Sequence, residues 1–223
     1  EAAPVTWSRQ VVTDARTDAV VLNSGGANAC TGPQGFADTH RTAEHVAEVL
    51  GVSAGDVVVC STGLIGELLP MDRLLAGVDA AAAQLGPEGG DTAAEAIMTT
   101  DTVSKTATAS RQGWSVGGMA KGAGMLAPSL ATMLVVLTTD AVATAEQLDQ
   151  ATTLDVDGDR AEAAAGGGPH EGLHGVVHGV HRRDLVGDDL EGQQQREDCD
   201  DPPVGEPVRG GGQLHEIQVS PGD

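Results

Sequence analysis

The residues best suited to chemistry stand just ahead of the most apolar run in the chain. Gly117 to Thr132 reads GGMAKGAGMLAPSLAT and leads straight into MLVVL, Met133 to Leu137. Glycines let backbone approach closely, and Pro128 fixes the chain before the small residues Ser129, Ala131 and Thr132. Small residues ahead of a reactive hydroxyl leave the neighbouring carbonyl carbon open to attack, which makes Thr132 a candidate nucleophile. Lys121 is the cation of this segment. A phosphate-cradling loop is excluded, because Gly122 follows Lys121 where Ser or Thr is required and no strand leads into it. Taken as pattern alone, the same residues also describe a glycine-rich loop feeding a core strand.

Two metal signals are weak. His170, His174, His178 and His181 have helical spacing, but Gly172, Gly175 and Gly179 interrupt them, and glycine disfavours a helix. Asp155-Val156-Asp157-Gly158-Asp159 resembles the opening of a calcium loop. The twelfth position, which needs a bidentate glutamate, is Gly166, so that reading is rejected. No metal site is expected.

The elements around the candidate nucleophile read as α/β protein. Ala19 to Leu22 is a short apolar run ending in Asn23-Ser24-Gly25-Gly26, the mark of a buried strand and a turn. Asp56 to Cys60 (DVVVC) is a second such strand, ending at Ser61-Thr62-Gly63. Asp38 to Leu50 has helical spacing, with Gly51 placed to cap it. Pro70 suits the first turn of a helix running through Leu74, Leu75, Val78 and Ala82 to Gly86. A shorter helix is expected over Thr92 to Met98 and another over Thr144 to Gln150. Lys105 to Ser110 alternates like a strand, and Met133 to Leu137 is a buried one.

The chain has 223 residues, enough to bury a substantial core. With only Trp7, Phe36 and Trp114 as aromatics, that core must be aliphatic. The formal charge of −21 repels nucleic acid and anionic membranes, so neither is an expected partner. Cys30, Cys60 and Cys199 form no CxxC pair and fit free thiols in a reducing compartment. Glu1 to Gln10 shows no basic start followed by an apolar run, and apolar stretches fall far short of the ~20 residues of a membrane helix. A soluble cytoplasmic protein is therefore expected, with its start upstream of Glu1. Beyond Thr153 aliphatic residues thin out, and Leu154 to Asp223 carries sixteen acidic residues against five basic ones. Such a segment does not offset its ordering entropy and is expected to be mostly disordered.

Lys121 to Leu134, KGAGMLAPSLATML, is similar to the self-cleavage segment of the glutamate N-acetyltransferase/ornithine acetyltransferase family of arginine biosynthesis. Three further blocks follow the family's order: VLNSGGANACTG (Val21 to Gly32), CSTGLIGELLPM (Cys60 to Met71) and AIMTTD (Ala96 to Asp101). The resemblance covers roughly Ala2 to Thr153. It implies a layered α/β sandwich of sheets and helices, comprising residues 1–153, of which 1–131 would be α-chain and 132–153 the start of a β-chain. The bond cut would be Ala131–Thr132. The freed α-amine of Thr132 would act as base for its own hydroxyl, which takes acetyl from N-acetylornithine and passes it to glutamate. The resemblance assigns the oxyanion hole to the Thr62 hydroxyl and the Gly63 amide, just past a buried strand where rigid backbone aims a donor. It assigns substrate binding to Thr99, Lys121 and Thr132. No cofactor is implied, although bifunctional members also use acetyl-CoA as donor substrate. Two α- and two β-chains form the family's heterotetramer.

The sequence departs from the family after the helix near Thr144. Thr152-Thr153 is followed directly by LDVDGD, where the family continues with Thr-Thr-Phe-Asp and later Ser-Thr-Asn-Asp-Thr. A shifted reading frame in GC-rich DNA would give a tail of the composition seen in 154–223. Two other readings follow: an inactive truncated remnant, and an autoprocessing amidase or aminopeptidase that hands its acyl group from Thr132 to water.

Overall fold

Val20 to Leu22 and Val57 to Val59 are uninterrupted apolar runs, and such runs suit strands covered on both faces. They form β1 (Ala19–Asn23) and β2 (Val57–Ser61), every residue of which is buried. The computed structural model describes residues 2–111, 113–123 and 132–151, together with the backbone of two strands further on. The remaining helices are α1 (Ala3–Val11), α2 (Gly32–Leu50), α3 (Met71–Ala82), α4 (Gly90–Ala96) and a last one over 145–151. The remaining strands are β3 (Lys105–Arg111), β4 (Trp114–Lys121), β5 (Leu134–Thr139), β6 (Val177–His181) and β7 (His215–Val219).

β1 pairs in parallel with β2, Ala19 opposite Val57 and Asn23 opposite Ser61, and β7 lies parallel on the other side of β1. A second sheet has the order β3-β4-β5-β6, antiparallel except for the β5–β6 pair. The period of two divides the residues of β1 and β2 between two cores. Ala19, Val21, Val57 and Val59 pack with Ala43, Val46 and Ala47 of α2 and with Leu74 and Val78 of α3. Val20, Leu22, Val58 and Cys60 pack with Ala94 and Ile97 at the end of α4 and with Met119, Leu134 and Val136 of the second sheet. The result is a layered sandwich of helices, parallel sheet and mainly antiparallel sheet. Among the described residues the buried hydrophobics are aliphatic apart from Cys60 and Met119, and none is aromatic.

The free edge of β2 is covered by α1. The Trp7 indole N–H donates to the Val57 carbonyl at 2.9 Å, while the Ser8 hydroxyl donates to the Val59 carbonyl at 2.8 Å and accepts from the Val59 amide at 3.0 Å. An edge that would otherwise template another chain is thereby closed.

Contrary to the expectation that no strand leads into Lys121, β4 ends on that residue, because Gly117, Gly118 and Met119 pair with β5 instead of forming a loop. Several element ends also differ from the sequence expectations. α2 begins six residues before Asp38, because Pro33 is tolerated in a first turn and Gly35 fits where any Cβ would meet the Thr31 hydroxyl. Gly51 caps it in the left-handed region at φ 71°, as expected. Pro70 stands at the N-cap of α3 and not within its first turn, and the helix stops at Ala82, short of Gly86. α4 lies two residues earlier than expected, and β5 extends to Thr139 because Thr138 and Thr139 continue the ladder against Gly117 and Val116. The expectation of a mostly disordered 154–223 falls on residues outside those described, apart from the backbone of β6 and β7.

Candidate active site

β2 delivers Thr62 to the centre of the molecule. Its amide donates to the Asn23 carbonyl at 3.0 Å, one step beyond the β1–β2 ladder, and its side chain is fully buried. Gly63 then turns at φ 130°, a region that L side chains rarely adopt. Its backbone lies against the Asn23–Gly26 turn so closely that a Cβ would stand 2.3 Å from the Gly25 carbonyl carbon. The chain then zips along that turn: the Leu64 amide donates to Gly25 and the Ala27 amide to Leu64, at 3.1 and 2.8 Å. Among the described residues the Gly63 amide has no backbone acceptor.

The Asn23-Ser24-Gly25-Gly26 turn is the hub of this arrangement. The Ser61 hydroxyl donates to Asn23 Oδ1 at 2.6 Å, and Asn23 Nδ2 donates to the Gly26 carbonyl at 3.1 Å. The Ser24 hydroxyl donates to the Ala96 carbonyl at 2.7 Å, tying the turn to the end of α4. The loop after α4 carries Thr99 and Asp101. Turn-forming residues after an apolar run marked Asn23–Gly26 in the sequence, but which backbone groups their side chains would hold was not readable from their spacing.

Lys121 ends β4 opposite Leu134 and points between the layers, with 4% of its surface exposed. Its Nζ contacts Thr62 Oγ1 at 2.8 Å, Thr99 Oγ1 at 2.7 Å and the Thr132 carbonyl oxygen at 3.4 Å. Thr132 Oγ1 lies 2.5 Å from Thr62 Oγ1. The structure thus joins Thr62, Thr99, Lys121 and Thr132 in one polar cluster, with Gly63 adjoining it. Ala131 lies outside the described residues.

Burial pushes the Lys121 amine below its ordinary value; Asp101 works against that shift and Lys105 adds to it. Asp101 behaves oppositely. Burial alone would raise its carboxyl, but the ion pair with Lys105 and the amides of Gly122 and Thr99 outweigh it and hold the carboxyl at about 2. The Gly122 amide donates to Asp101 Oδ1 at 2.8 Å, so Asp101 grips the residue that follows Lys121. Its other oxygen is buried with no hydrogen-bond partner among the described residues.

An alcohol nucleophile, a second hydroxyl, a buried amine and a backbone amide make a set suited to acyl transfer. Among the described residues no three His, Cys, Asp or Glu side chains gather as a metal site. The side chains of the four spaced histidines lie outside the described residues. No described helix is long and apolar enough to cross a membrane. A cavity of about 150 Å³ lies elsewhere, where α1 and α2 begin, lined by Ala2, Thr6, Thr31 and Phe36 among others, and it holds none of the cluster residues.

Comparison with known proteins finds the ArgJ family over residues 1–159. The arginine biosynthesis bifunctional protein ArgJ of Streptomyces coelicolor is 69% identical over 151 residues, 68% of this chain and 39% of that protein. The Mycobacterium tuberculosis protein of the same name is 62% identical over 159 residues, again 68% and 39% of the two lengths. The chain therefore spans about two fifths of the length of the curated relatives it matches. Among solved structures, the ornithine acetyltransferase of Mycobacterium tuberculosis complexed with ornithine matches with a TM-score of 0.56 and 57% identity, over 60% of this chain and 72% of that one. The ArgJ of Bacillus halodurans matches with a TM-score of 0.51 and 38% identity, over 60% and 71%.

Proposed function

Since the chain belongs to the ArgJ family, we propose that it carries the nucleophile half of an ornithine acetyltransferase of arginine biosynthesis, activated by cleavage of its own Ala131–Thr132 bond. The observation that carries this reading is the contact of Thr132 Oγ1 with Thr62 Oγ1 beside the buried Lys121 amine. Cleavage frees the Thr132 α-amine, whose reference pKa near ~8 suits a base for the adjacent hydroxyl at neutral pH. Thr132 Oγ1 attacks the acetyl carbon of N-acetylornithine, the Gly63 amide and Thr62 hydroxyl receive the oxyanion, and ornithine leaves with the returned proton. Glutamate then attacks the acetyl-threonine by the reverse sequence and departs as N-acetylglutamate.

Thr99 and Lys121 line the approach to Thr132 and would bind substrate, the lysine facing a carboxylate. Ornithine in the Mycobacterium tuberculosis structure supports this substrate class. The word bifunctional in the relatives' names supports acetyl-CoA as a second acetyl donor, used as substrate and not as a bound cofactor. The working assembly would be two α- and two β-chains in the cytoplasm.

A second reading, a remnant without turnover, is favoured by the family match stopping at residue 159 while the chain runs on to 223. Intact mass of the purified protein beside Thr132→Ala tests both. Fragments meeting at Ala131–Thr132 in the parent alone, with glutamate-dependent deacetylation of N-acetylornithine, support the acetyltransferase. Release of acetate without glutamate would indicate a hydrolase, and an uncut, inactive parent would indicate the remnant.

A further inference from the structure

In the uncut chain the Thr132 nitrogen belongs to a peptide bond. Its lone pair is delocalised, so the amine that serves later turnover does not yet exist to activate the hydroxyl. Another base must start the cleavage. Among the described residues the amine in contact with the cluster is Lys121, and it reaches Thr132 Oγ1 through one intermediary, the Thr62 hydroxyl. We propose that Lys121 is the general base of self-cleavage, drawing the Thr132 proton through the Thr62 hydroxyl. This rests on the self-cleaving reading above and adds to it a step that precedes the acetyltransferase cycle.

Three features of the site carry the relay. The distances along it, 2.5 Å from Thr132 Oγ1 to Thr62 Oγ1 and 2.8 Å on to Lys121 Nζ, are those of continuous hydrogen bonds. Lys121 Nζ lies within hydrogen-bond distance of Thr62 Oγ1, Thr99 Oγ1 and the Thr132 carbonyl; as a neutral amine it would donate its two N–H groups to the last two and turn its lone pair to the Thr62 hydroxyl. Finally, among the described residues no carboxylate stands in ion-pair contact with Lys121, because Asp101 is spent on Lys105 and on the Gly122 amide. Burial and the Lys105 charge therefore favour the uncharged amine, with Asp101 opposing them.

The chemistry balances with one water. The Thr132 Oγ1–H bond breaks, its proton passes to Thr62 Oγ1, and the proton of Thr62 passes to Lys121 Nζ. Thr132 Oγ1 bonds to the preceding carbonyl carbon, whose π electrons move to oxygen. Collapse breaks the C–N bond, the Thr132 nitrogen takes the proton held by Lys121, and an ester remains. Water then adds its hydroxyl to the acyl carbon and its proton to Thr132 Oγ1, leaving a new carboxylate and a free threonine amine. The same lysine would bind substrate afterwards, once the α-amine has taken over as base.

The test follows cleavage of the full chain by intact mass between pH 6 and 10 for the parent, Lys121→Ala and Lys121→Arg. General-base loss is expected to slow Lys121→Ala about 100-fold or more. Added ethylamine should restore part of the rate in proportion to its free-base concentration, which a misfolded variant would not show. Lys121→Arg, charged throughout the range, should stay slow. The parent rate should rise with pH and level off below the usual lysine range, since the neutral amine is the active form. A parent that cuts while either variant cuts at the same rate, or an alanine variant that ethylamine leaves unchanged, overturns the relay alone. A parent that never cuts overturns the self-cleaving reading with it.

Discussion

The two sheets treat their strands very differently, although both supply the cluster. β1 and β2 are buried on both faces, and their ends are locked to each other by Thr62, Asn23 and Ser61. β3 is exposed at every residue, and β4 and β5 cover one face with Met119, Leu134 and Val136 while much of the other stays half-exposed. The Thr62–Gly63 side of the candidate site is thus built into the deepest part of the molecule. Lys121 and Thr132 are carried on a thinner layer. A donor must be aimed before charge develops, so rigidity is most useful on the first side.

The largest expected break of this contrast is Gly63→Ala. Its φ of 130° and the 2.3 Å approach to Gly25 leave no room for a methyl group, and the atoms it meets are backbone. Strain and overpacking together should cost roughly 3–5 kcal/mol. Urea unfolding of the uncut Thr132→Ala background would measure it; a loss below about 1 kcal/mol would mean the two turns are not locked.

A paired comparison comes next. Val58→Ala removes methyl groups from a site with no exposure and should cost about 2–3 kcal/mol. Thr108→Ala on exposed β3 should change stability by no more than about 0.5 kcal/mol. Equal losses would show that β3 is covered in solution and that the contrast is false.

A further effect concerns pH. Asp101 has a folded value near 2, below its ordinary 3.8. A depressed carboxyl stabilises the fold above its unfolded pKa, and that contribution is lost as pH falls through the folded one. Stability should therefore drop by on the order of 1 kcal/mol between about pH 4.5 and 2, a discounted figure because Lys105 is half-exposed and screened. Asp101→Asn should remove that share of the acid-dependent loss. An unchanged acid profile in the variant would place the sensitivity in other carboxylates.

Much of the frame was legible beforehand. β1, β2 and β3 were readable within one residue at either end, because an apolar run or a clean alternation bounded by turn residues has few other uses. The start of α2 was not, since Gly32-Pro33-Gln34-Gly35 reads locally as a turn and becomes helix only where Asn28, Thr31 and Thr39 bond around Gly35. α1 was missed altogether: its value lies in closing the β2 edge with Trp7 and Ser8, which is a relation between distant residues.

The candidate site divides in the same way. Sequence by itself determined the chemical inventory: a threonine behind small residues, a lysine in a glycine-rich approach, and turns placed after buried strands. Those follow from local conformational preference and from blocks of adjacent residues. Only the tertiary structure decided that Thr62, Thr99, Lys121 and Thr132 share hydrogen bonds, that Asp101 serves Lys105 and Gly122, and that among the described residues Lys121 lies beside hydroxyls and not carboxylates. Charge state and proton paths depend on distance and burial across 70 positions of chain, and no local pattern encodes either one.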